Sequence, residues 1–415
     1  MKRFIAALIT LTAVLACFNH SVKASDASIT DQDLLKALYG TKIIIEKWGY
    51  IDKTGKVVIE PQFQRASDFS EGLAAVKFND KKLWGYIDKT GRIAIKPYFD
   101  WASNFSEGMS AFWNSDDGKY GYINKTGRVV IQPRFDMAFR FSGGLAVVQI
   151  GSKYGYTDKA GRFAIELKFD WASNFYEGLA AVNIGGKYGY IDKKGKFIIK
   201  PELASIENFS EGLAPAKLKR EEKWGYINRA GKVIIKPEYQ HVWLFSEGLA
   251  AVEVQDRLGY IDRTGKFVIE PGFDWATIII SARRPKIIVG KRFRFINIEP
   301  RFVYPENFSE GLAAVYAKQK KQWGYIDRKG KVIIEPEYHL AWPFSEGLAA
   351  VNLKKKDKWG YINKTGILVI EPRFDWATSF SEGLARVGIG KKVKKNIKPV
   401  IPPGGFGLAY RSLEQ

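Results

Sequence analysis

The sequence predicts an all-β protein: a tandem array of about ten three-stranded antiparallel β-meander repeats, 34–36 residues each, stacked as an open, β-solenoid-like array. Three observations lead there. A phrase of the form KWGYIDKTGKVVIEPQF (47–63) returns along the chain, for instance at 83–99 and 358–374. Each copy reads as short alternating apolar runs separated by turn residues, the pattern of half-buried strands. The units are too many, and offer too few strands each, for a propeller, which usually closes with about 4 to 8 four-stranded blades; a β-propeller-like ring is the alternative.

The central glycines set the ruler: Gly49, Gly85, Gly121, Gly155, Gly189, Gly225, Gly259, Gly324 and Gly360. Spacing is 34 or 36 residues except for one gap of 65, which holds a degraded unit around FRFINIEPRF (293–302). Within one unit, residues 73–78, 84–88 and 92–95 read as three strands. Asp88-Lys89-Thr90-Gly91 joins the last two as a type I turn with a left-handed glycine, the chemistry of a tight hairpin with a G1 bulge. Pro97 ends the third strand because it has no N–H to donate, and 98–108 reads as a longer return loop. A meander of this kind has an apolar face that only a neighbouring unit can cover. Ahead of the array, Thr30-Asp31-Gln32-Asp33 and LLKALYG predict a short capped helix that ends at Gly40 and shields the first unit.

These residues resemble the bacterial WG-repeat (KWG-repeat) family, through Trp48-Gly49, Trp84-Gly85, Trp224-Gly225, Trp323-Gly324 and Trp359-Gly360, the Thr-Gly turn, the Ile-Glu-Pro end and the Phe-Ser-Glu-Gly-Leu segment. The likeness runs from about 40 to 387, with Tyr120, Tyr154, Tyr188 and Leu258 departing at the Trp position. It implies tandem β-rich repeats, frequently on exported proteins, with no established catalytic chemistry.

The N-terminus carries Lys2 and Arg3, an apolar run from Phe4 to Phe18, and Val22-Lys23-Ala24 before Ser25. Residues 1–24 therefore read as an export signal, the run being shorter than the roughly 20 residues that span a bilayer. Val14-Leu15-Ala16-Cys17 also resembles a lipobox, so lipidation of Cys17, the only cysteine, is the competing reading. The remaining divisions are a linker and capping helix (25–40), the array (41–387, irregular at 278–302) and a basic tail (388–415). Of the formal charge of +21, the irregular stretch 278–294 carries six and the tail five, and the regular repeats are of mixed sign. Nucleic-acid binding is therefore not expected.

Nothing in the motifs points to catalysis. The glutamates at 71, 107, 177, 211, 247, 310, 346 and 382 recur one per unit in a Glu-Gly turn and read as solvated turn residues, where a catalytic constellation is single. His241 and His339 stand in separate repeats, and no Walker loop or Gly-x-Ser-x-Gly occurs. No metal and no cofactor are expected. The Trp column (Trp48, Trp84 and their equivalents) reads as core. A second column, tolerant of charge, hydroxyl and indole, reads as a partly exposed edge; its tryptophans Trp101, Trp171, Trp275 and Trp376 are the candidate binding surface. The expected function is an exported, non-enzymatic, monomeric scaffold for a protein ligand of the cell envelope, periplasmic, cell-surface or secreted. Cell-wall or polysaccharide binding, or a spacer held to the membrane only through Cys17, is the alternative.

Overall fold

A computed structural model describes residues 42–78, 83–218, 222–255, 257–274, 286–289, 292–295, 307–317, 320–353 and 358–393. The export signal, Cys17, the capping helix, Trp275 and residues 394–415 lie outside them. The described residues form a closed β-propeller of nine blades, most of them four-stranded. The expected open array of three-stranded meanders is thus overturned, and the propeller alternative holds.

Two features of the chain account for the difference. The first is a fourth strand hidden in the return loop. In blade 2 (65–99) it is Arg65–Ala66, only two residues, paired to Lys77 and Val76. Beyond it the chain bends, and Ser67 donates its N–H to Ala75 while its hydroxyl accepts from the Ala75 amide at 2.9 Å. The same arrangement recurs at Ser103 and Ser173. The second feature is closure. Lys42–Asp52 pairs along its length with Leu384–Val393, from Lys42 opposite Val393 to Asp52 opposite Leu384. Blade 1 is therefore built from both ends of the described chain, Trp376–Ala377 and Leu384–Val393 joined to Lys42–Asp52 and Val57–Phe63.

Blades 3 to 6 (101–135, 137–169, 171–203, 205–239) and blade 9 (340–374) each run inner to outer as a four-stranded meander. Blade 7 (Leu249–Val254, Arg257–Asp262, Phe267–Asp274) and blade 8 (Leu312–Ala317, Gln322–Asp327, Val332–Tyr338) show three strands among the described residues. Between them, among the described residues, Lys286–Val289 and Arg292–Phe295 pair as a separate two-stranded ribbon.

The cores lie between neighbouring blades, and the one at the closure runs through blades 9, 1 and 2. One joins Met109, Tyr122, Ile131 and Phe135 of blade 3 to Ala138, Phe141, Ala146 and Val148 of blade 4. The small alanines of the Leu-Ala-Ala-Val strand let successive sheets approach, and the aromatic residues fill the wedge between them. The tyrosine after each central glycine is the largest of the deeply buried residues of its repeat that carry a polar group. Tyr50, Tyr86, Tyr122, Tyr156, Tyr190, Tyr226, Tyr260, Tyr325 and Tyr361 are all 0–1% exposed. Each phenol must find an acceptor, since an unpartnered buried hydroxyl is costly. Tyr86 donates to the Ser103 carbonyl of the next blade at 2.8 Å, and Tyr361 of blade 9 to the Thr378 carbonyl of blade 1 at 2.8 Å. Each ring also packs on the Phe of the Phe-Ser-Glu-Gly segment, as Tyr86 does on Phe105 with centroids 4.8 Å apart. Burial raises these phenol pKa values well above the ordinary range.

The tyrosines thus hold the place that the sequence reading gave to the Trp column. Trp359 is buried, as are Trp48 and Trp323, but Trp84 and Trp224 are only half-buried.

Candidate functional site

Antiparallel meanders put two kinds of turn on one face of the ring: the Glu-Gly turn between the two inner strands and the Asp-Thr-Gly turn between the two outer ones. The opposite face carries the hairpins between the middle strands and the links from blade to blade. The two faces differ in chemistry.

On the first face, Glu and Gly form a two-residue turn with both residues in the left-handed region, φ 55° at Glu71 and 83° at Gly72. The turn aims the carboxylate at the next blade. Glu71 accepts from Gly108 N at 3.0 Å, Glu211 from Gly248 N at 2.9 Å, and Glu382 from Gly72 N at 2.9 Å, so the series crosses the closure. The second residue of the Asp-Lys-Thr-Gly turn supplies a cation to the same carboxylate: Lys53 to Glu346 (2.9 Å), Lys89 to Glu382 (3.1 Å), Lys125 to Glu71 (3.3 Å) and Lys364 to Glu310 (3.1 Å). Alongside, the serine that precedes the Glu at every such turn except Tyr176-Glu177 donates to the phenylalanine carbonyl one blade on, as Ser70 does to Phe105 at 2.8 Å. The glutamates read from sequence as solvated turn residues are therefore inter-blade clasps, half-buried at every position but the exposed Glu177. The signal that could have revealed them is a cation, Lys or Arg, recurring in phase at 53, 89, 125 and the equivalent positions.

The Asp-Thr-Gly turns are as the sequence predicted. Asp88 accepts from the Thr90 amide and hydroxyl and from the Arg92 amide, and Gly91 closes the turn on the Asp88 carbonyl. The Thr90 hydroxyl bond is the main reason that the Asp88 pKa lies below the ordinary value of 3.8. Burial tends to raise the pKa of Glu346, but Lys53, Gly383 N and Glu382 N outweigh it and leave it below 4.5; Glu382 behaves likewise with Lys89, Gly72 N and Glu71 N. A carboxylate with a depressed folded pKa stabilises above its unfolded pKa and loses that contribution as pH falls through the folded one. The melting temperature is therefore expected to drop as pH falls below the ordinary glutamate value of 4.5. Glu346→Gln should melt lower than the parent at neutral pH and show a shallower acid dependence; equal acid slopes would rule the clasp out as the titrating element.

The opposite face bears the candidate tryptophans, which the structure does not bring together. Trp101 (blade 3) is half-buried, its ring edge-on to Tyr120 at 5.6 Å, and Trp171 (blade 5) is half-buried against Tyr188 at 6.1 Å. Trp376 is 2% exposed, inside a cluster with Trp359 (5.2 Å) and Trp342 (6.1 Å). The aspartate before the tryptophan braces the nearby hairpin: Asp100 accepts from Ser115 N, Asp170 from Gly185 N and Asp375 from Gly390 N. Of the two histidines among the described residues, His241 occupies the second column in blade 7 and pairs with the buried Glu253. Among the described residues, no group of three or more His, Cys, Asp or Glu side chains is placed to hold a metal ion.

Fold and clasps define a closed, repeat-built β-propeller scaffold. The WG containing repeat matches the sequence nine times, at 48–81, 84–116, 120–154, 154–188, 188–220, 224–257, 259–279, 323–356 and 359–392. The chain belongs to that family. A typical match, 84–116, begins on the third strand of blade 2 and ends just past the second strand of blade 3. Sequence repeat and structural blade are out of phase, and that offset is why blade 1 needs both ends. No curated protein matches the sequence. Similar solved structures include a eukaryotic initiation factor (11% identity, 78% of this chain and 95% of that one, TM-score 0.47). Others are virginiamycin B lyase from Staphylococcus aureus (13%, 69% and 97%, TM-score 0.31) and apo AztD from Citrobacter koseri (12%, 84% and 98%, TM-score 0.36). At these values the likenesses carry nothing about activity.

Proposed function

We propose that the protein is an exported, non-catalytic propeller scaffold whose hairpin face binds a protein of the cell envelope. The contrast between the two faces carries this reading. On the turn face, recurring polar side chains are spent on internal links, Glu to Gly N–H and Ser to Phe carbonyl, and the tyrosines between the blades do the same. The hairpin face instead varies from blade to blade, and half-buried indoles at Trp101 and Trp171 suit a binding surface because they add contact area at low entropy cost. Indole faces also suit sugar stacking, which keeps an envelope glycan as the second reading.

The test couples capture to direct binding. Mature protein is crosslinked in envelope extract, the captured protein is purified, and its affinity is measured against the parent and Trp101→Ala/Trp171→Ala. The double variant should lose binding by about tenfold or more while keeping its fold by circular dichroism. Equal binding by the two would remove the hairpin face from the proposal, and saturable binding of glycans alone would favour the second reading. Intact mass of envelope-derived chain tests export: it should begin at Ser25, or at a lipid-modified Cys17, and a retained Met1 would defeat both.

A further inference from the structure

We propose that the junction between blades 4 and 5 binds a carboxylate supplied by a partner, at the one clasp position whose own carboxylate is missing. The inference deepens the scaffold reading by giving the partner a chemistry. Eight of the nine junctions carry a glutamate in the clasp; at the ninth, Ser142-Gly143-Gly144 replaces Ser-Glu-Gly. The turn itself is unchanged, since Gly143 and Gly144 keep φ 65° and 88°. Only the side chain has gone.

What the missing carboxylate would have touched is still present. At the preceding junction, Glu107 shows the full arrangement: its oxygens accept from two successive amides, Gly143 N at 2.5 Å and Gly144 N at 2.9 Å, with Lys159 at 3.5 Å. The corresponding groups at the vacant position are the amides of Glu177 and Gly178 and the ammonium of Lys193. Gly178 N is the one glycine amide of the clasp series with no acceptor among the described residues, and Gly178, like Gly144, is exposed. Lys193 leans into the vacated volume: a Cβ on Gly143 would lie 2.8 Å from its Nζ. Asp192 beside it accepts from the amides of Lys194 and Lys196 and makes no ion pair with Lys193 among the described residues. Arg140 adds positive charge at the same junction while donating to the Tyr176 hydroxyl at 3.1 Å. Left-handed turns with converging N–H groups are anion sites, and charge-assisted bonds to a carboxylate are the strong kind. The occupant that fits is a carboxylate with the reach of a glutamate side chain, because eight internal copies show that group seated in the same geometry.

Isotope-labelled full-length protein is titrated with glutarate and, separately, with an acetylated, amidated hexaglutamate peptide, following the Gly178 amide resonance. Saturable shifts of Gly178 are expected. Lys193→Gln should weaken them by about tenfold or more. Gly143→Glu should abolish them, because it restores the internal carboxylate at a φ that eight other glutamates adopt, and it should raise the melting temperature. Response to both probes makes the carboxylate alone the ligand; response to the peptide only requires a chain around it. No saturable shift in the parent, or peptide binding that survives both substitutions, overturns the site, the latter outcome reporting diffuse attraction to a basic chain. A partner captured equally by parent and Gly143→Glu leaves the scaffold reading standing and removes only this site.

Discussion

A chain ended before Leu384 is expected to lose the closed ring, and a chain ended after Val393 to keep it. The first removes the central partner of Lys42–Asp52 and takes Leu384, Ala385 and Val387 out of a core that also contains Trp48, Trp359 and Trp376. Fully burying a leucine or valine contributes about 1.5–3 kcal/mol, so these two side chains alone exceed half of a typical folding free energy of about 5–15 kcal/mol at its lower bound. The ladder between the two strands goes with them. The clasp from Glu382 to Gly72 N and the bond from the Ser381 hydroxyl to the Phe69 carbonyl also lie at this seam. Size-exclusion chromatography should show an enlarged particle, and tryptophan emission should shift to the red as the Trp342, Trp359 and Trp376 cluster is wetted. If the shorter chain elutes and melts like the longer one, the ring does not depend on this strand.

How much of this was legible in the sequence depended on how local the cause was. The Asp-Thr-Gly turn was, because Asp88 bonds amides two and four residues away. Strands with clear alternation were legible in part: Val57–Phe63 buries Ile59 and Phe63, but it runs on through Pro61, as Ile93–Phe99 does through Pro97, where the sequence reading ended the strand. The innermost strand was not, because only Arg65 and Ala66 pair and the residues after them, Ser67 and Asp68, are polar. Closure was not, because no local pattern links Lys42 to Val393. The clasp was half-visible. One glutamate per unit was plain, but reading it as a lone turn residue ignored the lysine that recurs with it, as Lys89 does for Glu382 from the other side of the ring seam. The same habit of weighing one column at a time favoured Trp84 over Tyr86, although tyrosine follows the central glycine in all nine copies and Trp does not precede it in all nine.

The glycine between them yields the second large effect. Gly189→Ala is expected to destabilise the protein by about 3 kcal/mol, at the upper end for forcing atoms into a packed site. A Cβ there would sit 2.5 Å from the Ile199 carbonyl oxygen and 2.8 Å from both Lys200 C and Pro201 N. All three are backbone atoms, so no side-chain rotation relieves the contact. The backbone has little room to give, because Tyr188 opposite Leu203 and Tyr190 opposite Ile199 hold the strands on either side of the bulge. Tyr190 is also fixed through its hydroxyl to the Glu207 carbonyl of the next blade at 2.6 Å. The same close approach to an Ile carbonyl and a Pro or Glu main chain occurs at each of the nine central glycines, which explains why glycine is invariant among the copies while the residue before it is Trp, Tyr or Leu. Gly272→Ala is the control: its Cβ would meet nothing nearer than the Glu270 oxygen at 3.7 Å, and its cost should stay within about 0.5 kcal/mol. Urea midpoints of the two variants, measured side by side, separate steric exclusion from any general penalty of placing alanine in a strand. Should both fall together, or neither move, the close approach of the two outer strands is not what demands glycine at this position.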